Sequence, residues 1–475
     1  MTMTLTSTED RLIARRQPAR NQPERFAFTV LDDAVGALDN PLEPWSVQLE
    51  VGVTGRLDEP RLRAAIAAAM ARHPMARARA VPARLSDRHA RWEITATPNL
   101  DPLRIVDCPR FEDLDAARAE LYSTAIPLTE SPPLRLALAH RPQGDLLLLN
   151  VNHAAFDGFG AVRFLRSIAR AYTGEADPAP VVELDEARDI ERHLAAPDRR
   201  TRARRFKLLG SWLLDMTRPT ARFAADPTSA DAGYGFCQIS LPADLSAALT
   251  GRPATVNDLL VGALHLAIAG WNAEHDAECD RVGVLVPVNL RPQEWREDMA
   301  TNLVLQARIV STVDDRTHVK SLLRSVREQS DRLKSGEGAA LFELLRRWAT
   351  WPVWAKRLLS PALTATGNRL VDTAILSNLG RLDAPEFGPD AGETTECWFS
   401  APTRMPCGLS VGAVTLDKRL HLSFRYHRSL LSDEAGRRFA HRFLVDLDRV
   451  SGQDGHVRPK ARAGRSQPAG RGRGA

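Results

Sequence analysis

Paired cysteines, a secretory leader and a long uncharged apolar run are all missing from this 475-residue sequence. None of its five cysteines forms a C-x-x-C pair, which argues against a disulfide framework and a zinc cluster and favours a reducing cytoplasm. The opening residues, MTMTLTSTEDRLIARR, lack the apolar core of a signal peptide, so we expect no secretion. No run of about 18 uncharged apolar residues is present, which predicts at most peripheral contact with a membrane.

Net positive charge is confined to the end of the chain. Residues from Ser451 onward contain six basic residues and one acidic residue, which accounts for the whole formal charge of +5. This segment is rich in Gly, Pro, Ser and Arg, so residues 451–475 are predicted to be a disordered basic tail. Residues 1–25 are also polar and are predicted to be disordered. The nearly neutral body gives no signal of nucleic-acid binding.

Length and hydrophobic periodicity predict two mixed α/β halves. A chain of this length exceeds one ordinary core. Residues 26–180 contain strand and helix patterns, including a run of leucines typical of a strand buried on both faces. Residues 181–235 are rich in Pro, Asp and Arg and are predicted to be a linker or crossover with one or two helices. Residues 236–450 show a second α/β pattern, with a long helical stretch through 321–359 and a final helix near 432–450.

The stretch LLLLNVNHAAFDGFG places reactive side chains directly behind the leucine run. A strand that ends near His153 brings the imidazole to a sheet edge, where loops form clefts. Asp157 followed by Gly158 is typical of a tight turn in which Gly takes a conformation that other residues resist. His153 is therefore a candidate general base for an –OH, –NH2 or –SH nucleophile, with Asp157 orienting it or pairing with an arginine. A buried histidine with satisfied hydrogen bonds explains these residues equally well at this point.

Two other kinds of site fit the stretch less well. A metal site needs further ligands, and no second His or Cys lies nearby, so no metal is expected. A dinucleotide-binding loop needs a third glycine where Arg163 stands.

HAAFDG matches the HxxxDG core of the chloramphenicol acetyltransferase-like superfamily. That superfamily includes non-ribosomal peptide condensation domains, polyketide-associated acyltransferases and wax ester synthases. Further segments resemble family elements in the same order and spacing, over roughly residues 25–450: RHPMARAR (72–79), TVNDLLVGAL (255–264), VPVNLRP (286–292), TNLV (301–304) and ILSNLGRLD (375–383).

The resemblance implies an α/β (α+β) fold of two acetyltransferase-like subdomains in a V, with an active-site tunnel between them. It implies that His153 is the general base when an alcohol or amine attacks an acyl thioester, held on coenzyme A or on the phosphopantetheine of a carrier protein, with no bound cofactor. Asp157 would be structural and pair with Arg77, and Gly158 would allow close approach of the backbone to substrate. Oxyanion stabilisation or tunnel lining would fall to backbone amides near Gly158 or to polar side chains further along the chain, namely Ser377, Asn378 and Asn302.

The sequence departs from the family pattern at three places. Asn152 stands at the first His of HHxxxDG, Ala76 replaces the usual Leu before Arg77, and Thr301 replaces the Gly before Asn302. None of these changes removes the base. We therefore expect a stand-alone cytoplasmic acyltransferase of lipid or secondary metabolism, with a long-chain donor suggested by the apolar second half. The alternative is a catalytically silent condensation-fold protein that binds a carrier protein or a lipid.

GLSVG (408–412) satisfies the G-x-S-x-G pattern of serine hydrolases and makes Ser410 a rival nucleophile. That motif requires a sharp strand-to-helix turn, whereas an alternating, strand-like sequence follows here. Ser410 is therefore predicted to be an ordinary strand residue. Cys407 beside it has no evident base partner.

Trp348, Trp351 and Trp354 recur at spacing three among basic residues. This pattern predicts either a helix face packed against the body or a surface that faces lipid.

Overall fold

The computed structural model describes residues 24–84, 86–180, 182–190, 210, 218–226, 233–241, 254–292, 295, 298–334, 338–358 and 371–452. Most of the two predicted disordered ends, and much of the predicted linker 181–235, lie outside these residues. Within the described ranges, no helix is both long enough and apolar enough to cross a membrane.

The described residues form a mixture of strands and helices. The strands are β1 (Glu24–Ala27), β2 (Ser46–Val53), β3 (Ala78–Val81), β4 (Arg91–Ile94), β5 (Leu103–Asp107), β6 (Leu134–Arg141), β7 (Gly144–Asn152), β8 (Tyr234–Leu241), β9 (Arg281–Asn289), β10 (Val304–Thr312), β11 (Ala374–Leu382), β12 (Thr394–Ser400), β13 (Leu409–Leu416) and β14 (Arg419–His427). The α-helices are α1 (Val30–Gly36), α2 (Glu59–Arg72), α3 (Phe111–Ser123), α4 (Gly158–Thr173), α5 (Leu184–Arg188), α6 (Val256–Glu274), α7 (Val313–Arg316), α8 (Val319–Arg332), α9 (Gly338–Ala349), α10 (Val353–Arg357) and α11 (Asp433–Ser451).

The strands make one small sheet and two large mixed sheets. The small sheet has the order β1-β4-β3. The N-terminal sheet has the order β12-β2-β7-β6-β5, and the C-terminal sheet has the order β10-β9-β11-β13-β14-β8. Strands β5 and β6 are parallel, as are β11 and its neighbours β9 and β13, and the other pairs in the two large sheets are antiparallel.

Strand β7 lies at the centre of the N-terminal sheet, and every one of its residues is buried. Because successive side chains point to opposite faces, Leu147, Leu149 and Val151 pack in one core with α2 and α4. Leu146 and Leu148 pack in another core with α3. Helices therefore cover both faces, which confirms the double burial predicted from the leucine run.

The C-terminal sheet has an apolar face and a polar one at β14. Leu420, Leu422 and Phe424 pack with α6 and α11 in a separate core. The alternate residues His421, Ser423 and Arg425 are also buried but lie on the opposite face. This second face is therefore turned toward other parts of the protein rather than toward water.

Strand β12 connects the two halves of the chain. It falls between β11 and β13 in the sequence, yet it pairs antiparallel with β2 at the edge of the N-terminal sheet, with Ser400 opposite Gln48 and Trp398 opposite Glu50. A segment assigned from the sequence to residues 236–450 thus completes the sheet that carries β7.

Most predicted elements around the HxxxDG motif agree with the structure. SVQLEVGV, whose alternation predicts a strand, forms β2, and the leucine run forms β7. The spacing of Leu165, Ile168 and Tyr172 predicts a helix after the motif, and these residues lie in α4. The single helical stretch predicted through 321–359 is wrong, because this segment is divided into α8, α9 and α10.

The three tryptophans of the second half differ in exposure. Trp348 is half-buried, with the Lys356 Nζ atom 5.7 Å from its ring centre. Trp351 and Trp354 are 55% and 53% exposed. Packing against the body therefore accounts for Trp348 but not for the other two.

Candidate active site

His153 follows the last residue of β7, so the buried strand carries the imidazole to the end of the sheet as predicted. Its backbone N–H donates to the Trp45 carbonyl at 3.1 Å. The residue is 6% exposed, and its Nδ1 is buried without a hydrogen-bond partner among the described residues. Burial lowers the pKa of the imidazole, against the opposing pull of the Asp157 and Asp39 carboxylates. The ring is therefore neutral near pH 7, and the unbonded Nδ1 differs from what a histidine with all its hydrogen bonds satisfied would show.

Asn152, at the first position of the motif, stabilises the loop that carries His153 through hydrogen bonds. Its Nδ2 donates to Asp39 Oδ2 at 2.9 Å and to the Ile126 carbonyl at 3.1 Å, and its Oδ1 accepts from the Ala154 N–H at 3.0 Å. Every polar atom of this side chain is engaged. Asn152 therefore fixes the backbone on either side of His153 instead of facing a substrate.

Asp157 forms the N-cap of α4 and a buried ion pair at the same time. Its Oδ1 accepts from the Gly160 N–H at 2.8 Å, which satisfies one of the free donors at the start of the helix. Both terminal nitrogens of Arg291 donate to the carboxylate, Nη1 to Oδ2 at 2.6 Å and Nη2 to Oδ1 at 2.9 Å. The Leu303 N–H donates to Oδ2 at 2.7 Å. Both side chains are at most 1% exposed, so water scarcely screens the pair.

Arg291 also holds the segment that lies against the motif. Its Nη2 donates to the Thr301 carbonyl at 2.7 Å and to the Met299 carbonyl at 3.2 Å. The Thr301 carbonyl accepts a longer bond from the Asp157 N–H, at 3.4 Å. One arginine from the second half thus links β9, the 299–303 segment and the His153 loop of the first half.

The prediction that Arg77 pairs with Asp157 is wrong. Arg77 ends a 3-10 turn after α2, where its Nε donates to the Met70 carbonyl at 3.0 Å and its Nη1 to the Thr95 carbonyl at 2.7 Å. These bonds join the turn to the end of α2 and to the segment after β4, and none of them reaches Asp157. Arg291 instead follows β9 within the VPVNLRP segment, so the sequence signal for the true partner was present in a motif already recognised.

The tight-turn conformation expected of Gly158 is wrong, whereas close approach of its backbone to substrate stays a prediction. Gly158 is the first residue of α4 and is not among the glycines with positive φ. A Cβ atom there would lie 2.7 Å from Leu379 Cδ2 and 3.1 Å from Phe399 Cε2. A side chain at position 158 would therefore displace Leu379 or Phe399, and no unusual turn conformation calls for glycine there.

The three polar candidates for oxyanion stabilisation have different surroundings. Asn302 is fully buried, its Oδ1 accepts a long bond from the Val304 N–H at 3.4 Å, and its Nδ2 has no partner among the described residues. Ser377 shares a face of β11 with Ile375 and Leu379, which pack in the same core as Ala154 and Phe159 of the motif region.

Asn378 lies on the opposite face of β11 from Ser377, by the same alternation. Its Oδ1 accepts from the Gly380 N–H at 2.8 Å, which shapes the irregular end of the strand. Of the three candidates, Asn302 is the one with a buried, unused donor.

The competing hydrolase site is absent from the described part of the chain. Ser410 lies inside β13, as predicted, and its Oγ donates to the Ala401 carbonyl at 2.9 Å. Burial raises the pKa of the Cys407 thiol, which opposes formation of a reactive thiolate. The described residues contain no group of three or more His, Cys, Asp or Glu side chains placed to hold a metal ion.

Breaking the Asp157–Arg291 pair is expected to destabilise the protein strongly. Arg291→Met leaves the Asp157 carboxylate buried without its cation, which costs about 3–5 kcal/mol of unfolding free energy. Arg77→Met is the control, because it removes only hydrogen bonds to backbone carbonyls, at about 1–3 kcal/mol. Denaturant unfolding measures both variants. In a double-mutant cycle with Asp157→Asn, the free-energy changes of Arg291→Met and Asp157→Asn should not add, whereas those of Arg77→Met and Asp157→Asn should add within about 0.5 kcal/mol. Coupling of Asp157 to Arg77 instead of Arg291 would contradict the assignment.

Comparison with known proteins agrees with this architecture. Residues 36–454 match the family model of the condensation domain. Two uncharacterized proteins of Mycobacterium tuberculosis, MT2362 (strain CDC 1551 / Oshkosh) and Rv2305 (strain ATCC 25618 / H37Rv), are each 38% identical to this chain over 426 residues, or 88% of this chain and 97% of theirs.

Solved structures of the same fold include two condensation domains and the protein SgcC5 from Streptomyces globisporus. The first condensation domain of the calcium-dependent antibiotic synthetase superposes with a TM-score of 0.65 at 17% identity, over 90% of this chain and 97% of that chain. The starter condensation domain of rhizomide synthetase gives 0.64 at 15% (90% and 95%), and SgcC5 from Streptomyces globisporus gives 0.63 at 16% (90% and 98%). These likenesses confirm the predicted α/β fold. The chain therefore belongs to the condensation-domain family.

Proposed function

We propose that this protein is an acyltransferase that moves an acyl group from a thioester, on coenzyme A or on a carrier-protein phosphopantetheine, to an alcohol or amine acceptor, with His153 as the general base. The observation that carries the proposal is the buried imidazole of His153, neutral near pH 7, in a loop fixed on both sides by Asn152 and Asp157. Condensation domains are generally acyl or peptidyl transferases, which supports the reaction class.

Two related structures support the donor chemistry. One variant of the rhizomide starter condensation domain was solved with C8-CoA, and a second variant with both C8-CoA and Leu-SNAC. An acyl thioester and a small acceptor are the reactants that the same fold would bring together here. The proposed meeting place is a tunnel where the His153 loop of the first half faces the 299–303 segment of the second.

The chemical step follows from the protonation state of His153. The neutral imidazole takes the proton from the acceptor O–H or N–H as that atom attacks the thioester carbonyl carbon. The tetrahedral oxyanion then collapses, the C–S bond breaks, and the leaving thiolate receives the proton from the imidazolium. No protein atom is acylated and no metal or redox partner is consumed.

The oxyanion needs a donor near the HxxxDG loop, and we assign this role to Asn302. Its Nδ2 is buried and unused, and the next backbone N–H, of Leu303, is bonded to Asp157. The Asp157 contact thus fixes the backbone beside Asn302. A pre-positioned donor of this kind stabilises charge that develops only in the transition state.

His153→Ala is expected to reduce acceptor-dependent thiol release by about 100-fold or more, because a positioned general base contributes at least that much. The assay uses a panel of acyl-CoAs and acyl-carrier proteins with mixed alcohol and amine acceptors. His265→Gln is the matched control, since His265 of α6 is also buried but its Nδ1 is bonded to the Oγ atom of Ser311 in β10 at 2.7 Å.

Equal rates for wild type and His153→Ala would rule out the base assignment. Wild-type silence with both coenzyme A and carrier-protein donors would instead favour the catalytically silent protein that binds a carrier or a lipid.

The pH dependence of kcat/KM gives a second test of the same residue. Burial lowers the pKa of His153 below its usual value of 6.5, so the neutral base form persists into mildly acidic solution. Activity should therefore be flat through pH 7 and fall only on an acid limb with a midpoint below 6.5, since kcat/KM reports the free enzyme. A midpoint above 6.5 would be inconsistent with the buried imidazole as base.

Asn302→Ala is expected to lower kcat by about 100-fold or more with little change in KM, because the lost donor acts on the transition state. Asn378→Ala is the control, since that side chain lies on the face of β11 opposite Ser377 and its Oδ1 accepts from the Gly380 N–H. Steady-state kinetics of both variants decide whether Asn302 or Asn378 stabilises the oxyanion. Loss of activity in Asn378→Ala with a normal Asn302→Ala would overturn the oxyanion assignment.

A further inference from the structure

A buried polar cluster lies between β12 and β14, and none of the bonds described above uses it. We define the cluster as Ser400 of β12 with His421, Ser423 and Arg425 of β14. Each is at most 4% exposed. The His421 ring meets the Trp398 ring edge to face at 4.9 Å, so β12 and β14 face each other at this point.

Most polar atoms of this cluster have no partner in the described part of the protein. They are both ring nitrogens of His421, the Oγ atoms of Ser400 and Ser423, and Nε and Nη2 of Arg425. Buried polar groups in folded proteins are nearly always hydrogen-bonded, because an unpaired one retains its full desolvation cost. Several together indicate a place built to receive a polar group.

Arg425 is held in a fixed orientation with one edge unused. Its Nη1 donates to the Ser46 carbonyl at 3.2 Å and to Gln48 Oε1 at 3.1 Å, and its guanidinium stacks over the Tyr234 ring at 3.9 Å. The unpartnered atoms, Nε and Nη2, form the side of the guanidinium that pairs with two oxygens of a carboxylate or phosphate.

The hydroxyls of the cluster flank this free edge. Ser423 is two residues before Arg425 on the same face of β14. Ser400 is paired across strands with Gln48, the residue whose Oε1 holds Arg425 Nη1. Both hydroxyls can therefore add donors to an anion bound at the guanidinium.

Among the described residues, Arg425 differs from two other buried arginines in having no carboxylate partner. Arg118 pairs with Glu50 at 2.7 Å, and Arg141 pairs with Glu396 at 2.8 Å. Arg425 has no carboxylate partner within the described ranges, although it is fully buried. Burial lowers the pKa of His421 to about 4, so that ring adds no charge near pH 7. A buried cation without a counterion is strongly unfavourable, and a bound anion removes that cost.

We propose that Arg425, with Ser400 and Ser423, binds an oxyanion group of a substrate, a carboxylate or a phosphate. The inference that this anion site serves catalysis rests on the proposed function. Backbone contacts join Arg425 to the His153 loop. Ser46, whose carbonyl holds Arg425, is paired with Asn152, and the preceding carbonyl of Trp45 accepts the His153 N–H. An anionic acceptor or the phosphate of a thioester donor held at Arg425 would thus reach toward the base.

The experiment measures the thermal midpoint Tm against increasing acetate or inorganic phosphate, at constant ionic strength set with chloride. Wild type should rise by about 1–3 °C, because a ligand that binds only the folded state stabilises it. Arg425→Met should show no anion-dependent rise. Without added anion it should melt at or above the wild-type Tm, because it removes an uncompensated buried charge.

Arg118→Met is the matched control. It removes an equally buried arginine that does have a carboxylate partner, so it should melt well below wild type and keep the anion response, provided it folds. A response to acetate alone assigns the site to a carboxylate of the acceptor, and a response to phosphate alone assigns it to the donor.

The outcomes separate this inference from the acyltransferase proposal. His153→Ala should lose thiol release but retain the anion-dependent rise in Tm. The inference is overturned if wild type responds to neither anion, if the rise persists in Arg425→Met, or if Arg425→Met is destabilised as much as Arg118→Met. Thiol release by wild type under any of those results would leave the proposed function standing.

Discussion

The buried ion pair between Asp157 and Arg291 is the constraint on which the candidate site depends. It joins a helix N-cap in the first half of the chain to an arginine just after β9 in the second, and one carboxylate serves α4, Arg291 and the Leu303 amide together. Because both ions are shielded from water, moving one half away from the other would leave a buried charge without its partner, which is strongly unfavourable. The position of His153, four residues before Asp157, therefore depends on contacts from both halves.

The polar contacts between the two large sheets extend this dependence. β12 crosses to the edge of the N-terminal sheet, and Arg425 of β14 donates to the backbone and side chain of β2. The sheets thus meet through directed hydrogen bonds as well as apolar packing. Directed bonds fix one relative placement, whereas apolar contact alone tolerates sliding. This fits a site whose parts are drawn from distant segments.

Local patterns in the sequence were sufficient to predict the elements that carry the base. The leucine run predicts β7, and the spacing of Leu165, Ile168 and Tyr172 predicts α4. Long-range pairings were not predictable in this way. Nothing in the seven residues of β12 indicates that they pair with β2. The choice between Arg77 and Arg291 likewise depends on which arginine the fold brings to Asp157, although both stood in recognised motifs.

The central claim is direct transfer from thioester to acceptor, and intact-protein mass spectrometry after mixing with an acyl thioester tests it most directly. With an acceptor present, the account predicts free thiol and acylated acceptor in equal amounts. It also predicts that the protein mass is unchanged, with or without acceptor. A mass increase by one acyl group, retained when His153 is replaced, would contradict the account and point to a covalent nucleophile elsewhere in the chain.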